Sequence, residues 1–261
     1  MHLYLSVTIN YKLMNITQNY SSYTQENHNV WAILFERQYQ NLQGKAIPEF
    51  FEGLEKVGFN RGRIPDFEEV NQRLKPLTGF EVVPAPGIVD DTLFFQLIAD
   101  RKFPATVWIR TMDQLEYLEE PDMFHDVFGH VPLLTIPVYC QFLADLSQLA
   151  LQYINRPDII DLLTRIYWYT IEFGLFTLNG EPRIYGAGIL SSVGESNLAV
   201  SNESLKYKFD VEQILNTSYI KETFQSQYFC ISSFQELLDS LPVLDKALSE
   251  YKDSLEPQVA V

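Results

Sequence analysis

Residues 121–134 read PDMFHDVFGHVPLL, and two of the chain's four histidines, His125 and His130, fall in this stretch. They stand five residues apart. In an unbroken α-helix each residue turns by about 100°, so side chains five apart diverge by roughly 140° and do not converge. Gly129 lies between the two and Pro132 just after them. A left-handed Gly129 would end a short helix there. His125 would then project from the last turns and His130 from the loop beyond, with both rings facing one point.

A third residue fits the same point. Glu172 sits in YWYTIEFGLF (residues 167–176), a segment with little polar company. An ionised carboxylate buried there without a partner would be very costly, and a divalent cation offsets that cost. Imidazole nitrogen with carboxylate oxygen suits Fe, Zn, Co or Mn. Three protein ligands leave coordination positions open, as in non-heme iron oxygenases and in catalytic rather than structural zinc sites. From residue types alone, iron oxygenation and zinc hydrolysis both remain open. So does the plainer reading of a hydrogen-bonded histidine pair beside a glutamate on a wet helix face.

Composition narrows the class. The 261 residues are 46% hydrophobic and 14% aromatic, ample for a sizeable core in one domain. A formal net charge of −15 argues against nucleic acid or an anionic membrane surface as partner. Cys140 and Cys230 are the only cysteines. They form neither a metal-type spacing nor a disulfide framework, which suits a reducing cytoplasm. No apolar run reaches the roughly 18–20 residues needed to span a bilayer. The N-terminal MHLYLSVTINYKLMN lacks the basic segment of a signal peptide, and Met14 is an alternative translation start.

Along the chain, residues 1–25 read as a flexible polar arm and residues 26–261 as the catalytic domain. Apolar spacing predicts a helix over 26–43, a second from Pro48 to Gly58, and a third begun by Asp66 and Glu69 and ended by Pro76. A short β run spans Phe80–Val83, closed by Pro84, Pro86 and Gly87. Asp90 or Asp91 caps a helix, and ATVWIR (105–110) forms another strand. Asp113 starts a helical turn through Tyr117. Long helices follow over 137–154 and 159–176. EPRIYGAGILSSVGE (181–195) is a loop or β-turn region, short β runs lie near Tyr207 and Tyr228, and 237–255 is a last amphipathic helix. The fold class is mainly α with minor β.

Three blocks in this order, PDMFHDVFGHVPLL, IYWYTIEFGL (166–175) and YGAGILSSVGE (185–195), resemble the pterin-dependent aromatic amino acid hydroxylases, in particular their compact bacterial phenylalanine-hydroxylating members. The likeness runs from about Ile64 to Phe234. It implies a single hydroxylase-type catalytic domain that binds Fe(II) and uses a tetrahydropterin such as tetrahydrobiopterin. One atom of O2 goes to the aromatic ring and the other to the pterin. The reaction implied is L-phenylalanine to L-tyrosine, with tryptophan or tyrosine hydroxylation as the alternative and zinc hydrolysis a remote one.

The resemblance assigns His125, His130 and Glu172 as iron ligands. Arg110 would hold the substrate carboxylate, Pro121 and Trp168 would flank the substrate, and Ser191 would support an iron ligand beside it. Glu195 would order its loop. Gly87, Val89, Phe94, Asp126 and Tyr167 match the pterin side. Two positions depart from the family pattern: Asp126 stands where many members have glutamate, and Leu118 where animal members have threonine. A regulatory domain and a tetramerisation helix have no room, so a monomer or small homo-oligomer is expected.

Overall fold

A computed structural model describes residues 16–116 and 118–255. The part of the arm at 1–15, Met14 with it, Tyr117 and residues 256–261 lie outside the described residues.

The chain starts with α1 (Gln25–Asn41), begun by a capping box in which Thr24 and Asn27 exchange hydrogen bonds. Next come α2 (Pro48–Val57) and α3 (Phe67–Thr78), then β1 (Glu81–Ala85), α4 (Asp91–Ala99) and β2 (Lys102–Thr106). Asp90 is the cap of α4 and accepts from the Leu93 N–H. β1 and β2 pair in parallel, with Glu81 opposite Lys102.

Residues 124–130 then form a π-helical turn and 131–135 a 3₁₀ turn, leading into α5 (Pro137–Gln152). α6 (Pro157–Tyr167) passes without a break into a second π turn, Trp168–Glu172. The remainder alternates β3 (Leu175–Leu178), β4 (Glu181–Ile184), α7 (Ala187–Leu190), α8 (Val193–Val200), β5 (Leu205–Lys208), α9 (Val211–Leu215), β6 (Gln227–Ile231) and α10 (Phe234–Leu255). The second sheet runs β4-β3-β6-β5, antiparallel only at β3/β4. The fold is mainly α with minor β, as expected. Among the described residues no single helix is long and apolar enough to cross a membrane.

Aromatic rings form the centre of the core. Phe124 and Phe128, four residues apart, stack at 4.6 Å on the inner side of the first π turn. Trp31 and Phe35 of α1 and Phe50 of α2 meet them edge-on at 5.4–5.6 Å. This anchorage fixes the rotation of the turn and with it the direction of the two histidines, of which His130 is itself buried.

Several boundaries differ from the sequence reading. α3 runs through Pro76 to a left-handed Gly79. A proline this close to the end removes only one backbone bond, and Leu74 is fully buried beneath it. The second strand begins at Lys102 and stops at Thr106, because pairing with β1 sets its ends. Beyond it, the Val107 carbonyl and the Arg110 N–H turn to side chains instead of a ladder. The helix expected through Phe176 ends at Glu172, and Phe176 pairs in β3. Residues 181–195 are a strand, one four-residue helix and the start of another, too short to show a periodicity. The arm is fastened from Gln18 onward.

Candidate functional site

The left-handed kink expected at Gly129 is not there. Among the described residues the glycines with positive φ are Gly44, Gly58, Gly79, Gly87 and Gly180. His125 and His130 instead belong to one π turn. A π turn closes residue i onto i+5, so side chains five apart lie roughly above one another. The winding itself thus brings the two rings to one side, with centroids 5.2 Å apart. Gly129 serves a different purpose. A β-carbon there would lie 2.9 Å from the Ala187 carbonyl oxygen, so glycine lets the turn press against α7.

The second π turn delivers Glu172. Its Oε1 lies 3.3 Å from His130 Nε2 and its Oε2 3.6 Å from His125 Nε2. The three ligand atoms lie within 4.8 Å of one another. Two ligands held at about 2.1 Å and at right angles would be roughly 3 Å apart, so each histidine–glutamate pair is already within a few tenths of an ångström of that separation, and the two imidazoles are the pair left to close around an ion. Burial acts to raise the Glu172 carboxyl, but the adjacent His130 and His125 outweigh it and hold the group below its ordinary value. Behind it, Gly186 of the YGAG block packs so close that a β-carbon would meet the Glu172 carbonyl at 2.4 Å.

Ser191 fixes a tautomer. Its hydroxyl donates to the Ala187 carbonyl at 2.9 Å, leaving it to accept from His125 Nδ1–H, also at 2.9 Å. The His125 Nε2 lone pair is then free toward Glu172. Phe103 packs on the His130 ring at 4.8 Å. Asp126, next to His125, accepts the Thr106 N–H at 2.8 Å and so ties the π turn to the end of β2. Burial pushes its carboxyl up, against the pull of His125.

Arg110 is held by a residue that sequence reasoning missed. Asp122, fully buried, accepts from Arg110 Nε and Nη2 at 2.9 Å each, and from the Arg110 backbone N–H at 2.9 Å. Its Oδ1 also takes the Phe124 N–H at 3.1 Å and the His125 N–H at 3.3 Å. One carboxylate therefore fastens both the arginine and the start of the π turn. The readable signal was an aspartate capping a turn directly after a proline.

Trp168 opens the same turn that ends in Glu172. Its indole N–H donates to Gln225 Oε1 at 3.0 Å, and Tyr219 stacks on it at 4.5 Å. Gln225 donates its amide to the Ile220 and Thr223 carbonyls and its backbone N–H to Glu195. Glu195 also accepts from Tyr228, and burial pushes its carboxyl up. Nothing in the local sequence marks Gln225 or Tyr219, which reach Trp168 only through the fold. Phe94 of α4 meets Tyr167 edge-on at 5.4 Å, and burial drives the Tyr167 hydroxyl well above its usual range. Gly87, Val89 and Pro121 take no part in these contacts. The first two lie on the β1–α4 connection, and Pro121 precedes Asp122.

Within this helical fold two histidines and one glutamate converge as a group that could hold one metal ion, and Asp122 ties Arg110 to the backbone of the first of them. The sequence profile of the biopterin-dependent aromatic amino acid hydroxylases matches residues 2–253, and the chain belongs to that family. Among named relatives, the phenylalanine-4-hydroxylase of Chromobacterium violaceum is 44% identical, over 86% of this chain and 76% of its own length. That of Ralstonia nicotianae is 45% identical over 84% of this chain and 70% of its length. A crystal structure of the Chromobacterium violaceum phenylalanine hydroxylase with bound iron(III) and 7,8-dihydrobiopterin matches with a TM-score of 0.85 at 42% identity, covering 90% of this chain and 86% of that one. Another, with iron and phenylalanine bound, matches at 0.83 and 40% identity over 90% and 87%.

Proposed function

We propose that this protein is a phenylalanine 4-monooxygenase that converts L-phenylalanine to L-tyrosine with Fe(II), a tetrahydropterin and O2. The observation that carries the reading is the convergence of His125 and His130 on Glu172 at 3.3–3.6 Å from two π turns, with Asp122 tying Arg110 to the His125 backbone. Family membership and the phenylalanine-4-hydroxylase relatives support the same substrate.

When bound, iron and reduced pterin together supply the splitting of O2, one atom going to the ring and the other to the pterin. The chain's own residues do the rest. His125, His130 and Glu172 hold the metal, and Ser191 keeps His125 in the tautomer that can ligate. With Nε and Nη2 committed to Asp122, Arg110 offers its Nη1 edge to the substrate carboxylate. Trp168 and Pro121 bound the aromatic side chain, with Gln225 and Glu195 steadying the indole. Phe94 and Tyr167 supply an aromatic wall for the pterin, with Gly87 and Val89 on the loop beside it and Asp126 reaching it directly or through water. The acidic surface suits small-molecule substrates rather than nucleic acid or membrane, and a cytoplasmic monomer or small homo-oligomer.

Purified protein loaded with ferrous iron and given tetrahydropterin, O2 and L-phenylalanine should release tyrosine. Competition with tryptophan and tyrosine sets the preference. Iron-loaded protein that oxidises no pterin and forms no tyrosine would overturn the reading.

A further inference from the structure

The segment before α1 is keyed into the catalytic body at several points. Gln18 donates its amide to the Pro65 carbonyl at 2.9 Å and accepts the Phe67 N–H at 2.7 Å. The second bond satisfies one of the otherwise orphan donors at the start of α3. The Tyr20 hydroxyl donates to the Ile64 carbonyl at 2.8 Å, and the Ile64 N–H donates to His28 Nδ1 at 3.2 Å. Tyr20, Tyr23 and His28 pack against one another with ring centroids 5.7–6.2 Å apart. The direction of Tyr23 is thereby set from both sides, by these rings and by the capping box at Thr24.

Tyr23 spends this rigidity on a distant residue. Its hydroxyl donates to the Val107 carbonyl at 2.6 Å, across 84 positions of sequence. Burial pushes that hydroxyl up to about 12, so it stays a donor throughout the working pH range. Val107 begins the short run Val107–Arg110. This run is otherwise held by the end of β1 and the residue after it, through Val107 N–H on the Ala85 carbonyl at 3.3 Å and the Trp108 indole on the Pro86 carbonyl at 3.2 Å. From the other side it is held by the π turn, through the Met123 N–H on the Trp108 carbonyl and Asp122 on Arg110. Only Tyr23 ties it to the N-terminal segment among these contacts.

We propose that Tyr23 is a positioning residue for the amino-acid carboxylate site, setting the reach of Val107–Arg110 and so coupling the N-terminal segment to substrate affinity. The proposal rests on the reading of Arg110 as the carboxylate holder. A tie of this kind acts on ground-state binding of the amino acid and leaves the metal ligands untouched. A partner or a cleavage that displaced residues 18–23 would then weaken substrate binding without removing the metal.

The test is Tyr23→Phe, which keeps the ring and removes the donor. One hydrogen bond of this class is worth roughly three- to tenfold in an equilibrium, so the KM for L-phenylalanine should rise about that much. The kcat, the iron affinity and the KM for tetrahydropterin should stay within twofold. Hydrogen exchange across 107–112 should quicken. Gln18→Leu, which loosens the segment at Pro65 and Phe67 and removes the long 3.4 Å bond that Gln18 donates to the Tyr23 hydroxyl while leaving the Tyr23–Val107 bond in place, should move the same KM in the same direction by less. On an Arg110→Lys background the Tyr23→Phe effect should vanish, because the two act through one contact. An unchanged KM in Tyr23→Phe, or an equal rise in the pterin KM, overturns the proposal. If Arg110→Lys itself leaves the amino-acid KM unchanged, the reading of Arg110 fails instead, and the two failures are told apart.

Discussion

Replacing Asp122 by asparagine changes almost no volume and removes one charge. The carboxylate receives five N–H donors: Arg110 N and Nε on Oδ2, and Arg110 Nη2, Phe124 N and His125 N on Oδ1. An amide can keep only one oxygen. Whichever way it turns, its NH2 group faces at least two of these donors. Removing one partner of a buried ion pair costs about 3–5 kcal/mol. Asp122 is fully buried, but the Arg110 side chain keeps 12% of its surface, and water there carries part of the load. The lower end, about 3 kcal/mol, is therefore expected. For a chain of this size that is roughly a 6–12 °C fall in Tm. The arginine released would also lose its fork geometry, so the amino-acid KM should rise by at least tenfold. Thermal unfolding followed by circular dichroism, beside steady-state kinetics on the iron-loaded enzyme, reads both effects. A Tm within 2 °C of the parent together with an unchanged KM would refute the assignment of Asp122 as the anchor of both Arg110 and the π turn.

Three further perturbations address other parts of the site. Gly129→Ala drives a β-carbon to within 2.9 Å of the Ala187 carbonyl, a backbone atom that cannot swing away. It should cost about 1–3 kcal/mol in denaturant unfolding and weaken metal retention, since the turn carrying both histidines must shift. Ser191→Ala takes away the acceptor that fixes the His125 tautomer, and metal titration should show affinity falling by about 10–100-fold with little change in Tm of the metal-free protein. Glu195 gives a pH signature. Its carboxyl sits above its ordinary value because it is buried, so the folded chain keeps a proton that the unfolded chain loses. Its contribution to stability is complete below about pH 4.3 and is lost as pH rises toward the folded value. The Tm difference between Glu195→Gln and the parent should accordingly grow in favour of the variant from pH 4.3 upward. A difference independent of pH would remove Glu195 as a buried titrating group.

Much of this protein was legible in its residues. Capping and apolar spacing place α1, α2, α4 and α10 within a few positions, because those signals are local: a Thr24 or Asp90 cap acts within one turn of the helix it starts. His125, His130 and Glu172 stood out by type and by their apolar surroundings. What residues alone could not decide was how these three converge. The sequence suggested a broken helix at Gly129, whereas the chain winds two π turns instead. That winding depends on Phe124 and Phe128 being gripped by Trp31, Phe35 and Phe50 while Ala187 packs against Gly129. None of those partners is near in sequence, and a π turn, rare and confined to single turns, has no local signal to favour it. The same holds for Asp122 under Arg110, Gln225 on Trp168 and Tyr23 on Val107. Each is an ordinary polar residue until packing carries it across the fold to a group that needs a partner. Local chemistry thus determined which residues could act, and long-range packing determined their geometry, because only burial makes an unpaired donor or carboxylate costly enough to dictate where its partner must be.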